Sequence, residues 1–327
     1  MGTFRSLAAD DVRAILAGFG LDGYTGHRPI AAGTINTNLA VETAARPLFL
    51  RINEGKAVED VQREAAIVSH VAARGVPTPG LLRTPGGEPF LRWQGTFVSL
   101  FPWIGGRTLQ RPHIGAGHAR ETGAALARLH RAGADYPDHR PGRYEPDEIQ
   151  RRLDRVARLA VAGADPVLAD AVAVLVPALS RLGSERRPDL PAGLIHGDLF
   201  IDNVLYTDAG SLAALLDFEQ ASWGRLAYDL AVSVLAFGFG HDDFRPDVTR
   251  AFIEGYTAER TPSPDERAGF GAELEFAACR FAVTRITDVY LRRASGAPAG
   301  KDFGRYLHRY QRVGEHLAAN DGLLSLT

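Results

Sequence analysis

The segment 194–219, LIHGDLFIDNVLYTDAGSLAALLDFE, constrains the fold and the chemistry of this chain more than any other stretch. Its apolar start runs into His-Gly-Asp, which ends at Asp198, and Asn203 comes five residues later. Two β-like runs then flank the turn 207–210, and the second run ends at Asp217. A hairpin of this kind can return Asp217 to the neighbourhood of Asn203. The segment therefore predicts a loop carboxylate with two further oxygen-bearing side chains near it.

These residue types at this spacing are typical of a phosphoryl-transfer site. The protein must hold a hydroxyl in line with the γ-phosphate of a nucleotide while cations neutralise the phosphate oxygens. Asp198 is the predicted catalytic residue, and its ordinary pKa of about 4 makes orientation of the hydroxyl the larger part of its role. Asn203 and Asp217 are the predicted ligands of Mg²⁺, because that ion prefers hard oxygen ligands. The alternative is a solvated loop whose Asp and Asn residues only form turns.

Short β-like runs dominate the N-terminal part of the chain, at 24–32, 38–43 and 48–52. A small polar turn lies between the first two runs, at 32–38. Its backbone amides suit a loop that covers phosphate oxygens. Taken alone, the pattern is explained more simply as an ordinary hairpin turn.

The segment 57–74 predicts a helix whose apolar face also carries Glu64. A carboxylate on a buried face needs a partner. In a kinase-like lobe that partner is a strand cation that also touches the nucleotide phosphates. Arg51 lies in the preceding strand, and Lys56 follows the strand in a loop. The alternative is that Glu64 is solvated at the edge of the apolar stripe.

The apolar run 97–103 predicts a last strand, after which the pattern becomes helical. We therefore predict an α+β, bilobal, protein-kinase-like fold. Residues 1–104 form a small β-rich nucleotide-binding lobe, and residues 105–327 form a larger, mainly helical lobe for catalysis and substrate binding. Asp229 stands at the start of an apolar helix, where a buried acid is predicted to brace the backbone of the catalytic loop.

Charge and cysteine content exclude several classes of protein. The net charge is −2, which gives no indication of nucleic-acid binding. The single cysteine, Cys279, allows no intrachain disulfide and fits a reducing compartment. The N-terminal residues lack the apolar core of a signal peptide. We expect a cytoplasmic protein that has a small molecule as its partner and binds neither nucleic acid nor membranes.

With these residues placed, the chain resembles the homoserine kinases of the aminoglycoside phosphotransferase-like superfamily. The resemblance runs almost end to end. It is carried by IAAGTINTN at 30–38, PAGLIHGDLFIDNV at 191–204, YDLA at 228–231 and RFxxTRxxD at 280–288. The central motif is common to the superfamily, whereas DLFxDN and the late arginine helix point more narrowly to homoserine kinase.

The resemblance implies ATP and Mg²⁺ as cofactors, with Asp198 as the catalytic acidic residue. It also implies that the loop from residue 33 to 38 lies over the nucleotide phosphates. The residues predicted to bind the nucleotide are Gly33, Thr34, Asn36, Asn38, Arg51 and Glu64. Arg51 stands where many kinases have lysine, and a guanidinium can still contact both phosphate and carboxylate.

L-Homoserine carries a carboxylate, an ammonium group and the reactive hydroxyl. Its pocket should therefore pair a guanidinium with an acid. Arg280 or Arg285 can supply the first, and the acid is Asp202, Glu219 or Asp288. The alternative is that these arginines make structural ion pairs.

Two other functions stay open at this point. One is a kinase of the same fold that phosphorylates choline, ethanolamine or an aminoglycoside. The other is an inactive nucleotide-binding module, against which the combined presence of Asp198, Asn203 and Asp217 argues.

Overall fold

The computed structural model describes residues 5–30, 36–163, 165–295 and 302–326. The chain divides into two compact units, Met1–Gly106 with Ala213–Glu219, and Arg107–Leu212 with Gln220–Thr327. The first unit is built on an antiparallel sheet and the second is mainly helical, so the predicted α+β fold class is confirmed. The division of roles between the two lobes stays a prediction.

The first unit contains a five-stranded antiparallel sheet in the order β1-β2-β3-β5-β4. Its strands are β1 (Tyr24–Pro29), β2 (Thr37–Thr43), β3 (Leu48–Asn53), β4 (Leu91–Trp93) and β5 (Thr96–Pro102). β3 is central, pairs with both β2 and β5, and is almost wholly buried. A strand covered on both faces has a nearly continuous apolar sequence, which explains LFLRI and makes the buried Arg51 within it exceptional.

The described part of the first unit contains two helices, α1 (Ala9–Gly18) and α2 (Val58–Ala72). Val12, Ile15 and Leu16 of α1 are buried and belong to the same apolar core as the buried side chains of β2, β3 and β5. α2 buries one stripe, and Glu64 is part of that stripe, as its spacing predicts. The predicted helix over 57–74 is therefore confirmed.

The second unit is formed by seven helices within the residues that the structure describes. They are α3 (Ala116–Ala132), α4 (Pro146–Gly163), α5 (Pro166–Glu185), α6 (Leu226–Phe237), α7 (Pro246–Glu259), α8 (Pro264–Asp288) and α9 (Gly304–Ala319). α3 and α7 pack backbone to backbone. A Cβ atom at Gly123 would lie 2.1 Å from the Phe252 carbonyl oxygen, and one at Gly255 would lie 2.0 Å from the Arg120 carbonyl oxygen. Only glycine permits this approach.

The start of α8 at Pro264 is defined by local signals in the sequence. Ser263 accepts a hydrogen bond from the Glu266 amide, and the Glu266 carboxylate accepts one from the Ser263 amide. Pro264 occupies the first helical position. This is a capping box followed by an N-terminal proline, a local signal that defines the helix start.

The remaining strands are β6 (Ala192–Ile195), β7 (Val204–Tyr206), β8 (Leu212–Leu215) and β9 (Ser222–Arg225). β6 and β9 pair antiparallel. β7 and β8 form the predicted hairpin, and its turn is closed by hydrogen bonds between Thr207 and Ser211. The loop that carries Asp198 lies between β6 and β7, so both of its ends are anchored in strands.

α5 is the one helix in the described ranges that is long and apolar enough to cross a membrane. Leu168, Leu175 and Leu182 are buried in the helical unit, where α5 packs against α4 and α8. A core helix passes the same test of length and composition.

Candidate active site

A cluster of two cations and two carboxylates forms in the first unit. The Arg51 Nη2 atom donates to Glu64 Oε1 at 2.7 Å, so the partner predicted for Glu64 is confirmed. Lys56 Nζ lies 2.6 Å from Glu219 Oε1 and 3.4 Å from Glu64 Oε2. Arg51 Nη1 lies 3.7 Å from Glu219 Oε1. The four charges alternate in sign and compensate one another, which buried charges require.

Lys56 is a member of this cluster that the sequence analysis left in a loop. β3 ends at Asn53, and Gly55 adopts a φ of +65° in open space, a conformation that turns the chain at no steric cost. The lysine after this turn has a side chain only 13% exposed. In the sequence, this turn is indicated by Gly55, which lies two residues after the end of β3.

Glu219 accepts hydrogen bonds from Lys56 and, at 2.5 Å, from the Asn36 side-chain amide. Burial opposes ionisation of Glu219, but the charges of Lys56 and Arg51 outweigh it and lower the pKa of this carboxyl group. The sequence assigned Glu219 to the substrate. Its carboxylate contacts Lys56 and Arg51. A substrate ammonium group would have to compete with these two cations.

The other residues predicted to bind the nucleotide lie around the same strands. Asn38 is directly opposite Arg51 in the pairing of β2 with β3, so both side chains are on one face of the sheet. Asn36 immediately precedes β2. Gly33 and Thr34 lie outside the described residues.

Asp217 has a backbone φ of +65°, in the left-handed region that disfavours residues with a side chain. Such a conformation costs on the order of 1–3 kcal/mol and is found at functional sites, where the surrounding structure maintains it. Carboxylate oxygens of Glu64, Asp217 and Glu219 lie within 4.8 Å of one another. Asp217 is the exposed member of this group, and Glu64 and Glu219 form ion pairs with Arg51 and Lys56.

In the second unit, the loop that carries Asp198 is fixed through its backbone. The Asp229 carboxylate accepts hydrogen bonds from the His196 amide at 2.8 Å and the Gly197 amide at 2.7 Å. Asp229 is fully buried at the start of α6. The predicted bracing role of Asp229 is therefore confirmed. Gly197 has a φ of +76°, and a Cβ atom there would lie 2.8 Å from the Gln220 carbonyl oxygen.

A chain of buried side chains continues from Asp229. His130 Nε2 lies 2.9 Å from Asp229 Oδ2, and His130 Nδ1 lies 2.8 Å from the Tyr256 hydroxyl. Arg260 Nη1 donates to that hydroxyl at 3.1 Å. A His130 tautomer protonated on Nε2 satisfies every group, because Tyr256 then donates to Nδ1. Burial raises the pKa of Asp229, but the hydrogen bonds from the His130 ring and the His196 amide lower it by more, so the net pKa is below its ordinary value.

Asn203 ends a short 3₁₀ turn, and its Nδ2 donates to the Asp198 carbonyl at 2.8 Å. This bond fixes which way the amide faces and directs Oδ1 away from that carbonyl. Asp202 is exposed on the same turn. The loop therefore offers a carboxylate and an amide oxygen five residues apart in one rigid segment.

Arg280 and Arg285, the predicted substrate arginines, both lie on α8. Arg280 as a whole is 3% exposed, and its guanidinium stacks on the Tyr144 ring at 3.7 Å and the Phe281 ring at 3.9 Å. Arg285 stacks over Tyr306 at 4.9 Å. The acid Asp288, considered as a partner, instead forms an ion pair with Arg152 at 3.0 Å.

A cavity of about 280 Å³ opens in the second unit beside Gly197. Its charged lining residues include Glu145, Arg186 and Arg225, none of which the sequence analysis had selected. Neither Arg280 nor Arg285 is among its lining residues, although Tyr144, on which Arg280 stacks, is.

Comparison with known proteins places these features in context. The model of the phosphotransferase enzyme family matches residues 26–270. A homoserine kinase from Methylobacterium nodulans is 33% identical, over 88% of this chain and 88% of its own length. A homoserine kinase from Nitrobacter hamburgensis is 30% identical, over 99% and 100%. The structure of a spectinomycin phosphotransferase in complex with ADP and spectinomycin is similar in fold, with a TM-score of 0.69, 16% identity, and coverage of 98% and 97%.

Proposed function

Because the chain belongs to the phosphotransferase enzyme family, we propose that it transfers the γ-phosphoryl group of ATP to the hydroxyl of L-homoserine. The observation that carries this choice of acceptor is the similarity to homoserine kinases at 30–33% identity over 88–99% of the chain. The rigid loop around Asp198 supports the reaction type.

In the proposed reaction the homoserine hydroxyl oxygen forms a bond to the γ-phosphorus. The bond from that phosphorus to the β,γ-bridging oxygen breaks, and ADP leaves with the electron pair. The hydroxyl proton passes to the Asp198 carboxylate and then to solvent, and the other product is O-phospho-L-homoserine. Asp198 orients the hydroxyl for in-line attack, and Asp229 holds the backbone on which Asp198 stands.

Asn203 and Asp217 would hold Mg²⁺. Their donors fit this ion, because the hydrogen bond of Asn203 Nδ2 to the Asp198 carbonyl leaves Oδ1 as the outward donor, and Asp217 supplies a carboxylate. The ion, when bound, neutralises charge that develops on the phosphate oxygens. The left-handed backbone conformation of Asp217 costs free energy, and such conformations are concentrated at functional sites.

The nucleotide phosphates are the proposed partners of Arg51 and Lys56. Glu64 and Glu219 hold both cations in fixed positions, so less side-chain entropy is lost when phosphate binds. The loop residues Gly33, Thr34, Asn36 and Asn38 are proposed to cover the phosphates.

The remaining proposals concern the cell. The acceptor is a small molecule, and the near-neutral charge of −2 fits a protein that binds neither nucleic acid nor membranes. We propose a cytoplasmic location, in keeping with a single buried cysteine.

A coupled ADP-release assay tests the reaction, with MgATP and a panel of L-homoserine, choline, ethanolamine and kanamycin. We expect turnover with L-homoserine alone. The Asp198→Asn variant should lose on the order of 10²–10⁴-fold in kcat. The matched control is Asp208→Asn, which changes a fully exposed acid in the turn after β7 and should retain activity. Turnover confined to another alcohol would overturn the choice of acceptor, and an unchanged kcat in Asp198→Asn would overturn the assignment of Asp198.

A further inference from the structure

The cavity beside Gly197 has an unusual arrangement of charge. Arg186 donates to the Glu273 carboxylate from Nε at 3.0 Å and from Nη2 at 2.6 Å, and Arg225 Nη1 donates to the same carboxylate at 2.8 Å. Glu273 is fully buried. Two guanidinium groups therefore share one buried carboxylate, so this group of three side chains carries a net positive charge at the cavity wall.

The donors that remain on these arginines can reach a ligand. Arg186 Nη1 is buried and has no hydrogen-bond partner among the described residues. The Arg225 side chain is 24% exposed, donates to Glu273 through Nη1 and lines the cavity. An unpaired guanidinium N–H in a buried position is costly, and a carboxylate is its best partner.

An acid and a hydroxyl complete the polar lining. Glu145 lines the cavity at the residue before α4, where partial burial raises its pKa although Arg186 and Arg225 oppose this. The Tyr228 hydroxyl is buried and has no hydrogen-bond partner among the residues that the structure describes. The cavity thus presents a cationic wall, an anionic rim and an unsatisfied hydroxyl.

The cavity lies beside the catalytic loop. Gly197, which immediately precedes Asp198, is one of its lining residues. Burial raises the pKa of the Tyr228 hydroxyl, and the charge of Asp198 adds to this rise. A ligand bound by the charged wall can therefore direct its other end toward Asp198.

We propose that this cavity binds the α-amino acid end of the acceptor, with its carboxylate between Arg186 and Arg225 and its ammonium group on Glu145. This inference rests on the proposed function and names the residues that select the substrate. It places the carboxylate clamp on β9 and the end of α5, rather than on Arg280 and Arg285 of α8.

Two shortened substrates test each half of the zwitterion separately. 3-Amino-1-propanol lacks the carboxylate of homoserine, and 4-hydroxybutyrate lacks the ammonium group. In Arg225→Gln, the ratio of kcat/KM for L-homoserine to that for 3-amino-1-propanol should fall tenfold to about a hundredfold, because a charged hydrogen bond is lost only with the carboxylate substrate. In Glu145→Gln, the ratio of kcat/KM for L-homoserine to that for 4-hydroxybutyrate should fall by a similar factor.

Each variant has a neighbour as its matched control. Arg187→Gln changes an exposed arginine that pairs with Asp265, and Asp147→Asn changes an exposed acid in the first turn of α4. Neither residue lines the cavity. Both controls should keep the wild-type ratios.

Arg225→Gln removes one partner of the buried Glu273 carboxylate, which can destabilise that variant. Tyr228→Phe tests the same cavity without the loss of an ion pair. The Tyr228 hydroxyl has no partner in the described protein, so its removal should not lower the free energy of unfolding. It should raise KM for L-homoserine about twofold to tenfold, by the worth of one neutral hydrogen bond.

The outcomes separate the two proposals. A wild-type enzyme that phosphorylates L-homoserine, with both ratios unchanged in Arg225→Gln and Glu145→Gln, overturns the cavity assignment alone. A wild-type enzyme that does not phosphorylate L-homoserine overturns the proposed function and this assignment together. Selective loss of each ratio in its own variant supports both.

Discussion

Replacement of Asp229 by asparagine tests how the catalytic loop is held. The carboxylate accepts three N–H donors, from the His196 amide, the Gly197 amide and the His130 ring. Asparagine keeps the shape but exchanges one acceptor oxygen for an NH₂ donor. With the amide oxygen in the Oδ2 position, the bonds to His196 and His130 survive. The new NH₂ group then faces the Gly197 amide, and two buried donors have no acceptor.

The loss of stability in Asp229→Asn can be worked out from these contacts. Loss of a hydrogen bond to a buried charge costs about 1.5–3 kcal/mol, and each unsatisfied donor adds about 1–3 kcal/mol. Removal of the buried charge offsets part of this cost, because desolvation of an ion is itself unfavourable. We expect the free energy of unfolding to fall by about 2–4 kcal/mol.

Two assays measure the effect. Urea unfolding followed by circular dichroism gives the loss of stability, and steady-state kinetics gives kcat. Because Asp198 directly follows Gly197, a shift of about 1 Å in the loop should lower kcat on the order of a hundredfold.

The pH dependence of stability gives an independent readout. The pKa of Asp229 is lowered in the folded protein, so its contribution is fully present above its unfolded pKa of about 4 and is lost as pH falls through the lower folded value. The wild type should therefore lose stability more steeply than Asp229→Asn in this acid range.

Ser233→Ala is the matched control on the same helix. The Ser233 hydroxyl donates to the Asp229 backbone carbonyl at 3.0 Å and leaves the carboxylate untouched. We expect it to cost less than about 1.5 kcal/mol and to leave kcat unchanged. If Asp229→Asn matched this control in stability and in kcat, the bracing of the loop by the carboxylate would be refuted.

Three further predictions concern other parts of the chain. Lys56→Met should raise KM for ATP about tenfold at a nearly unchanged KM for homoserine, which steady-state kinetics can check. Gly255→Ala should lower the free energy of unfolding by about 1–3 kcal/mol, because the new Cβ overlaps a backbone carbonyl of α3. Gly183→Ala on the open face of α5 is its control and should be neutral or stabilising in urea unfolding. Burial lowers the pKa of His316, but its bonds to carboxylates, with Asp321 first, raise the net value. The stability that His316 adds should be complete below pH about 6.5 and lost as pH rises through the higher folded pKa; His316→Gln should abolish this change in urea midpoints.

The loop between β6 and β7 shows which contacts local patterns can predict. Asp198 and Asn203 lie five residues apart, and a single hydrogen bond within the loop orients the amide. Asp229 was also predictable, because an acid at the start of a wholly apolar helix must be buried and must find donors. Backbone amides of the adjacent loop, at His196 and Gly197, are such donors.

The cluster of Arg51, Lys56, Glu64 and Glu219 shows which contacts sequence patterns do not predict. The apolar period of α2 identified Glu64 as buried and in need of a cation, and Arg51 was the correct partner. Period and spacing do not reveal that Lys56 and Glu219 join the same cluster, because residue 219 reaches it only through the tertiary fold. Glu219 therefore looked available for a substrate when its carboxylate was already bonded.

The sequence by itself determined the α+β fold, the helix over 57–74 and the hairpin after Asn203, since these follow from burial periodicity and from contacts a few residues apart. Only the tertiary structure decided which charges meet. Arg186, Arg225 and Glu273 come from α5, β9 and α8, and each looks like an ordinary surface or helix residue in the sequence. Long charged side chains find partners according to the packing of their elements, and no pattern along the chain records that packing.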